Sequence, residues 1–122
     1  MAEPWIFVIP GRAPSTNHLY LPGRTFGSRR KAPGVEAWQA SVGLIVRAAR
    51  PKGWMPGPQV RLVFDFYLCR DADLDNLFKA AIDSIAPALG FNDRIVLPCA
   101  RSRAKVAAKD ERIEVTVENV EA

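Results

Sequence analysis

At 122 residues the chain is long enough for one domain with a real hydrophobic core and too short for two. Its composition, 48% apolar and 25% charged, is that of a soluble protein with no membrane-spanning run and no recognisable signal peptide, so we expect a cytoplasmic protein. The net charge is +4 and arginine outnumbers lysine 12 to 5, which suits a phosphate-rich partner but also fits a solvated basic surface.

The first elements along the chain are a strand and a long basic loop. Residues Trp5–Pro10 form an apolar run that predicts a strand, which Pro10 and Gly11 end. Residues 12–33 show no hydrophobic periodicity and contain three prolines and five basic residues. Loops of this length are uncommon in small domains and tend to be functional or disordered. We predict a basic, flexible loop, which is either a flap over a phosphate backbone or a mobile surface segment.

The middle of the chain predicts a helix and a central strand. Apolar residues recur at helical spacing over Val35–Arg50, and basic residues in its last turn favour the helix dipole. After a turn region rich in proline and glycine, Val60–Cys69 alternates in the manner of a strand. The side chains predicted to share one face of this strand are Val60, Leu62, Phe64, Phe66 and Leu68.

The remaining elements are a second helix and two more strands. A single apolar stripe predicts a helix over Leu74–Ala86, which Pro87 and Gly90 are expected to end. Ile95–Val106 and Arg112–Val120 read as strands. The fold class is therefore α/β (α+β): one small domain over residues 1–122, with a mixed sheet of about four strands and two main helices.

Acidic residues gather where the second helix begins. Asp71, Asp73 and Asp75 alternate, and Asp93 follows shortly after the helix. Taken singly, the presence of Asp73 or Asp75 is explained by a role as helix N-cap or as an acid in the first helical turn. Crowded carboxylates repel one another unless a cation lies among them, and Mg²⁺ prefers carboxylate, water and phosphate oxygens. Lys79, one turn after Asp75, either acts on the reacting phosphate and water or forms a surface ion pair.

Other metal and catalytic sites fit the sequence poorly. A calcium loop starting at Asp71 would need glycine where Asn76 stands and glutamate where Ile82 stands. Zinc and a Ser-His-Asp triad are disfavoured because His18 is the only histidine and the two cysteines follow no ligand spacing. The remaining chemistry is Mg²⁺-assisted phosphoryl transfer.

Basic residues also alternate in the strand that follows the acidic region. Arg101, Arg103 and Lys105 are spaced two apart, so we predict that they point from a single face. A polyphosphate partner would offset their mutual repulsion. A solvated outer face explains the pattern equally well.

Three motifs resemble those of one nuclease family. The run Asp73-Leu-Asp-Asn-Leu-Phe-Lys79, the helix position Asp83 and the segment Asn92-Asp93-Arg-Ile-Val96 are similar to motifs of the RusA family of Holliday junction resolvases. That family has an Asp-x-Asp-Asn-x-x-Lys segment, a helix with a further aspartate and an Asp-Asp-x-x-Val segment, in which Asn92 here replaces the first aspartate. Residues 10–17 also resemble the family's early proline-rich segment ending in asparagine.

The resemblance implies a homodimeric, Mg²⁺-dependent endodeoxyribonuclease, often prophage-encoded, for which Mn²⁺ can replace Mg²⁺. Such enzymes cut four-way DNA junctions by paired nicks during recombination and repair. Asp73, Asp75 and Asp93 carry over as metal-binding catalytic acids and Lys79 as the essential lysine, while we interpret Asp83 as structural support. The residues predicted to contact DNA are Asn17, Arg29, Arg30, Lys31, Arg101, Arg103 and Lys105.

Two alternatives belong to other functional classes. The chain could be a non-catalytic DNA-binding phage accessory protein, in which the acids are helix caps and surface pairs. It could also be a metal-dependent nuclease for another branched substrate or for RNA, since the same acids would serve there. Dependence of activity on Mg²⁺ separates the first alternative from the nucleases, and substrate choice separates the second.

Overall fold

The structure is a computed structural model that describes residues 3–11, 20–22, 29–31, 34–70 and 74–120. Side chains are described for these residues except 20–22, 29–31 and 74–76. The helices and strands in these ranges are β1 (Trp5–Pro10), β2 (Tyr20–Pro22), β3 (Arg29–Lys31), α1 (Val35–Ala49), β4 (Gln59–Leu68), α2 (Leu74–Leu89), β5 (Val96–Lys105) and β6 (Arg112–Val120).

Four of the strands form a mixed sheet in the order β1-β6-β4-β5. The central strand β4 pairs parallel with β5 and antiparallel with β6, and β6 pairs antiparallel with β1. The parallel pair is possible because α2 connects β4 to β5 and returns the chain to the starting end of the sheet. This confirms the predicted α+β domain with a four-stranded mixed sheet and two main helices.

The predicted loop over residues 12–33 also contains paired strands. Strands β2 and β3 form a separate two-stranded antiparallel sheet, so the prediction of a loop without regular structure was wrong at these positions. Each strand has only three residues, which is too short for the hydrophobic alternation by which a strand is recognised in a sequence.

The hydrophobic core lies between one face of the sheet and the two helices. Alternate side chains of neighbouring strands form rows on this face. In one such row, Val115 of β6 is paired with Phe7 of β1 on one side and with Phe64 of β4 on the other. The ring of Phe78 on α2 meets Phe64 edge-on, with ring centroids 4.8 Å apart, and also packs against Phe66. Aromatic pairs in this geometry stabilise the packing beyond the burial of their area, by about 1 kcal/mol. The face of β4 that the alternating residues were predicted to share is therefore the core face.

Helix α2 continues past Pro87, so the predicted end at Ala86 was wrong. Proline removes one backbone hydrogen bond in the preceding turn, but the residues after it can still be helical. Leu89 is buried and holds the last turn against the core. The helix ends at Gly90, where the Gly90 and Phe91 amides donate to the carbonyl oxygens of Pro87 and Ala86 respectively.

We expect Gly90→Ala to lower the free energy of unfolding by about 1 kcal/mol, measured by urea denaturation. Gly90 has a φ of 78°, which costs little for glycine and strains any residue with a Cβ. A Cβ there would have no atom within 4 Å, so the loss would come from the backbone alone. Gly57→Ala is the control because Gly57 lacks a positive φ, and an equal loss in both variants would contradict this account.

Candidate active site

Three charged side chains from two segments line one surface depression of about 230 Å³ between α2 and the start of β5. Lys79 and Asp83 come from α2, and Asp93 comes from the short 3₁₀ turn Asp93–Ile95 that precedes β5. Lys79 and Asp93 are exposed and Asp83 is half-buried. The depression thus presents one ammonium and two carboxylates to solvent.

The spacing of residues in α2 places Lys79 and Asp83 at this depression. Leu77, Ala81 and Ile85 are buried against the sheet, which turns the opposite side of the helix outward. Residues four apart lie one above the other on a helix, so Lys79 and Asp83 are neighbours on that outer side. The apolar stripe that anchors α2 therefore also orients its charged residues.

Asn92 shapes the turn that carries Asp93. Its side-chain Oδ1 accepts a hydrogen bond from the Arg94 backbone amide at 2.9 Å, and its carbonyl oxygen accepts one from the Ile95 amide at 3.1 Å. Asparagine is among the residues that best cap a helical turn in this way. Asn92 thus has a local structural role beside Asp93, at the position where the resembling family often has aspartate.

A larger depression of about 410 Å³ adjoins the first and shares Asp83 and Asp93 with it. Gln39 of α1 reaches this second depression, so residues from both helices meet there. Asp83 thus lines the same surface as two predicted catalytic residues, although the sequence suggested only a supporting role for it. The signal that could have indicated this was its spacing of four residues from Lys79.

The other predicted metal-binding acids fall outside the described side chains. Asp73 lies outside the described residues, and Asp75 lies in the first turn of α2 with its side chain outside the description. Among the described residues, no group of three or more His, Cys, Asp or Glu side chains could hold a metal. The structure therefore brings Lys79 and Asp93 together, and the predicted roles of Asp73 and Asp75 concern side chains outside its description.

Several predicted DNA contacts also fall outside the described side chains. Asn17 lies outside the described residues, and Arg29, Arg30 and Lys31 form β3 with their side chains outside the description. The predicted DNA-contacting residues whose side chains are described all lie on β5: Arg101, Arg103 and Lys105.

The prediction that these three β5 residues share one face was wrong. The pairing of β5 with β4 shifts by one residue at a bulge, where Phe64 pairs with Ala100 and Asp65 pairs with Ser102. Beyond the bulge, Arg103 and Lys105 stand opposite Phe66 and Leu68, whose side chains belong to the core face. Arg103 and Lys105 therefore point to the side of the sheet that carries the helices.

Arg101 lies at the bulge and points to the opposite face of the sheet, where it binds Asp65. Its guanidinium donates to both carboxylate oxygens, with the Nε to Oδ1 distance 3.1 Å, and Ser102 Oγ donates to Oδ1 at 2.7 Å. Only 5% of Asp65 is exposed, and the hydrogen bond from Arg101 is the main cause that lowers its pKa, against the opposing effect of burial. A buried carboxylate on the central strand thus receives its hydrogen bonds from the bulge.

Comparison with protein-family models gave no match, and comparison with curated proteins gave none either. No described helix is long and apolar enough to cross a membrane. The functional assignment therefore depends on the sequence motifs and on the geometry of the depression that contains Lys79, Asp83 and Asp93.

Proposed function

We propose that the protein is a Mg²⁺-dependent endodeoxyribonuclease that resolves four-way DNA junctions by paired nicks. The observation that carries this proposal is the shared depression of Lys79, Asp83 and Asp93. These residues come from the helix and the turn whose sequences resemble the RusA motifs. A lysine and two aspartates in an open depression suit the cleavage of a phosphodiester on a large substrate.

The chemistry of the donors fits Mg²⁺. Asp93 and Asp83 offer hard carboxylate oxygens at a solvent-accessible surface, and we infer that Asp73 and Asp75 add to them from the start of α2. When bound, Mg²⁺ polarises the phosphate and lowers the pKa of its water, and Mn²⁺ can replace it. Lys79 carries a positive charge on the same surface, where its ammonium donates to a phosphate oxygen and stabilises the charge of the transition state.

The substrate and the assembly follow from the same proposal. A four-way junction is close to two-fold symmetric, and paired nicks on opposite strands require two equivalent sites, so the active form is a homodimer. Basic side chains hold the DNA by its phosphates. The non-catalytic alternative would use the basic residues and leave Lys79, Asp83 and Asp93 without a chemical role.

Incubation of the protein with a labelled four-way junction tests the proposal. We expect paired nicks on opposite strands in the presence of Mg²⁺, none in EDTA, and little cutting of a linear duplex or a flap. Binding without cutting in both Mg²⁺ and Mn²⁺ would favour the non-catalytic DNA-binding protein. Equal cutting of flaps or RNA would instead favour the nuclease with a different substrate.

A further inference from the structure

Helix α1 has an uncharged, largely apolar face on the side that points away from the core. Its buried side, with Val35, Val42 and Val46, packs against the core. The opposite side, the outer face, consists of the exposed residues Ala37, Ala40, Ser41, Leu44 and Ala48. These five residues fall within about 100° of the helix circumference. A helix at the surface of a domain normally has charged residues there, so α1 has the composition of a helix with contacts on both sides.

Leu44 lies at the centre of the outer face, and 65% of it is exposed. One exposed leucine is ordinary in a soluble protein, but its surroundings on α1 are specific. Ala37, Ala40, Ser41 and Leu44 occupy positions i, i+3, i+4 and i+7, which together form the hole that receives one side chain of a facing helix. Three of these four residues are small, which leaves room for a leucine. The outer face therefore offers both the side chain and the hole that a second copy of α1 requires.

Two opposite charges lie along one edge of the outer face. Glu36 is in the first turn of α1 and Arg47 is in the last, and their spacing of about three turns puts both on the same flank. Both are exposed, and neither forms an ion pair with another residue in the described part of the chain. Identical helices that pack antiparallel about a two-fold axis bring the same flank of each helix together. Glu36 of each copy then lies beside Arg47 of the other.

We propose that the outer face of α1 packs antiparallel against α1 of a second copy of the chain, with Leu44 of each copy in the hole of the other. The face has no cation for a phosphate, and its two flanking charges of opposite sign complement a second copy rather than a polyanion. The inference rests on the proposed function only for the use of this two-fold dimer in paired nicking.

The size of the contact sets the strength expected of the dimer. Helix α1 has 15 residues and is about 22 Å long, so a contact confined to it buries less than the roughly 800 Å² per partner of a stable complex. We therefore expect a dissociation constant on the order of micromolar, in a dimer that forms and separates readily.

The first test is sedimentation equilibrium of the protein without DNA or Mg²⁺. Leu44→Glu is expected to weaken dimerisation at least about tenfold, because it would bury a charge at the centre of the contact. Met55→Glu is the matched control, since 68% of Met55 is exposed and it lies outside α1, and we expect its dimerisation to stay within about twofold. A chain that stays monomeric at about a hundred times the micromolar range, or an equal loss in Met55→Glu, would overturn the proposal.

The second test reverses the flanking charges one at a time. Glu36→Lys places like charges side by side at both ends of the helix pair, and so does Arg47→Glu, so each variant alone is expected to dimerise about tenfold more weakly at low salt. A mixture of the two variants should dimerise again, because each mixed dimer has two pairs of opposite charge. Failure of the mixture to associate more tightly than either variant alone would overturn the antiparallel pairing.

Another surface could hold the second copy, and one further variant separates the two. Ile6 is exposed on the face of the sheet that the helices do not cover. Loss of the dimer in Ile6→Glu, with Leu44→Glu unaffected, would place the second copy on the sheet and overturn the proposal. Melting temperatures are compared first, because both charge reversals oppose the helix dipole, and Leu44→Lys replaces Leu44→Glu if the latter unfolds.

Dimerisation without DNA or metal requires no cleavage, so the two proposals can fail independently. Loss of the dimer in Leu44→Glu, in a protein that never cuts DNA, would retain the α1 contact and remove the nuclease. Normal Mg²⁺-dependent paired nicking, with dimerisation unaltered in Leu44→Glu, would remove the α1 contact and leave the nuclease.

Discussion

Asp93→Asn is expected to reduce Mg²⁺-dependent nicking of a four-way junction by at least about a hundredfold while junction binding stays within about twofold. The substitution keeps the size of the side chain and removes its charge, which weakens its bond to the cation. Stabilisation of transition-state charge by a metal is worth several kcal/mol, and about 3 kcal/mol corresponds to a hundredfold in rate. The first-order rate of nicking at saturating enzyme is the measurement that checks this.

The fold should tolerate this substitution, so the loss of activity can be attributed to the site. Asp93 is exposed, and the turn that contains it is capped by Asn92 rather than by its own side chain. Asp110→Asn makes the same change in charge at an exposed residue of another 3₁₀ turn and is expected to keep the full rate. Full activity of Asp93→Asn would remove Asp93 from the catalytic residues.

The main elements of the fold could be predicted because they depend on local periodicity. β1 alternates between buried and exposed residues over its whole length, and its predicted bounds Trp5–Pro10 agree with the structure, as do the bounds of β6, Arg112–Val120. The apolar stripe of α2 likewise contains enough buried residues to specify a helix and its inward face. In each case the information lies within one segment of the chain.

Features that depend on pairing between segments could not be predicted in this way. Strict alternation along β5 would put Arg101 and Arg103 on the same face of the sheet. The bulge puts them on opposite faces, and its position is defined by the pairing of β5 with β4. Asp65 looks in the sequence like an outward polar residue of a central strand. It is in fact buried, and its carboxylate accepts hydrogen bonds from Arg101 and Ser102 of the neighbouring strand.

The candidate site was predictable only in part for the same reason. The motif indicated Lys79 and Asp93, and the packing of α2 beside the turn before β5 puts both at one depression. The spacing of four residues indicates that Asp83 lies beside Lys79 on α2, but only the packing of α2 beside the turn before β5 brings Asp83 to the same depression as Asp93.

Arg101→Ala is expected to destabilise the fold more than Arg61→Ala, although both remove one arginine that forms an ion pair. Arg61 pairs with a partly exposed Glu118, and loss of such a surface pair costs at most about 1 kcal/mol. Arg101 binds a carboxylate that is 5% exposed, and its removal leaves that charge buried with only the hydrogen bond from Ser102 among its described side-chain partners. Urea denaturation at neutral pH compares the two variants directly.

The loss of stability in Arg101→Ala should also depend on pH, and it should become smaller as the pH falls. In the folded protein the pKa of Asp65 lies below its usual value, chiefly because Arg101 donates to the carboxylate. A carboxyl group whose pKa is lowered in the folded state contributes its full stabilisation of the fold above its unfolded pKa, which is about 3.9 for aspartate. This stabilisation is lost as the pH falls through the folded-state pKa. Without Arg101 the main cause that lowers the pKa of Asp65 is gone and burial opposes ionisation, so acidification destabilises the variant less than it destabilises the original protein. The measurement is urea denaturation of the original protein and Arg101→Ala at neutral and at acidic pH, and a difference in free energy of unfolding that stays the same across this range would contradict this role for Arg101.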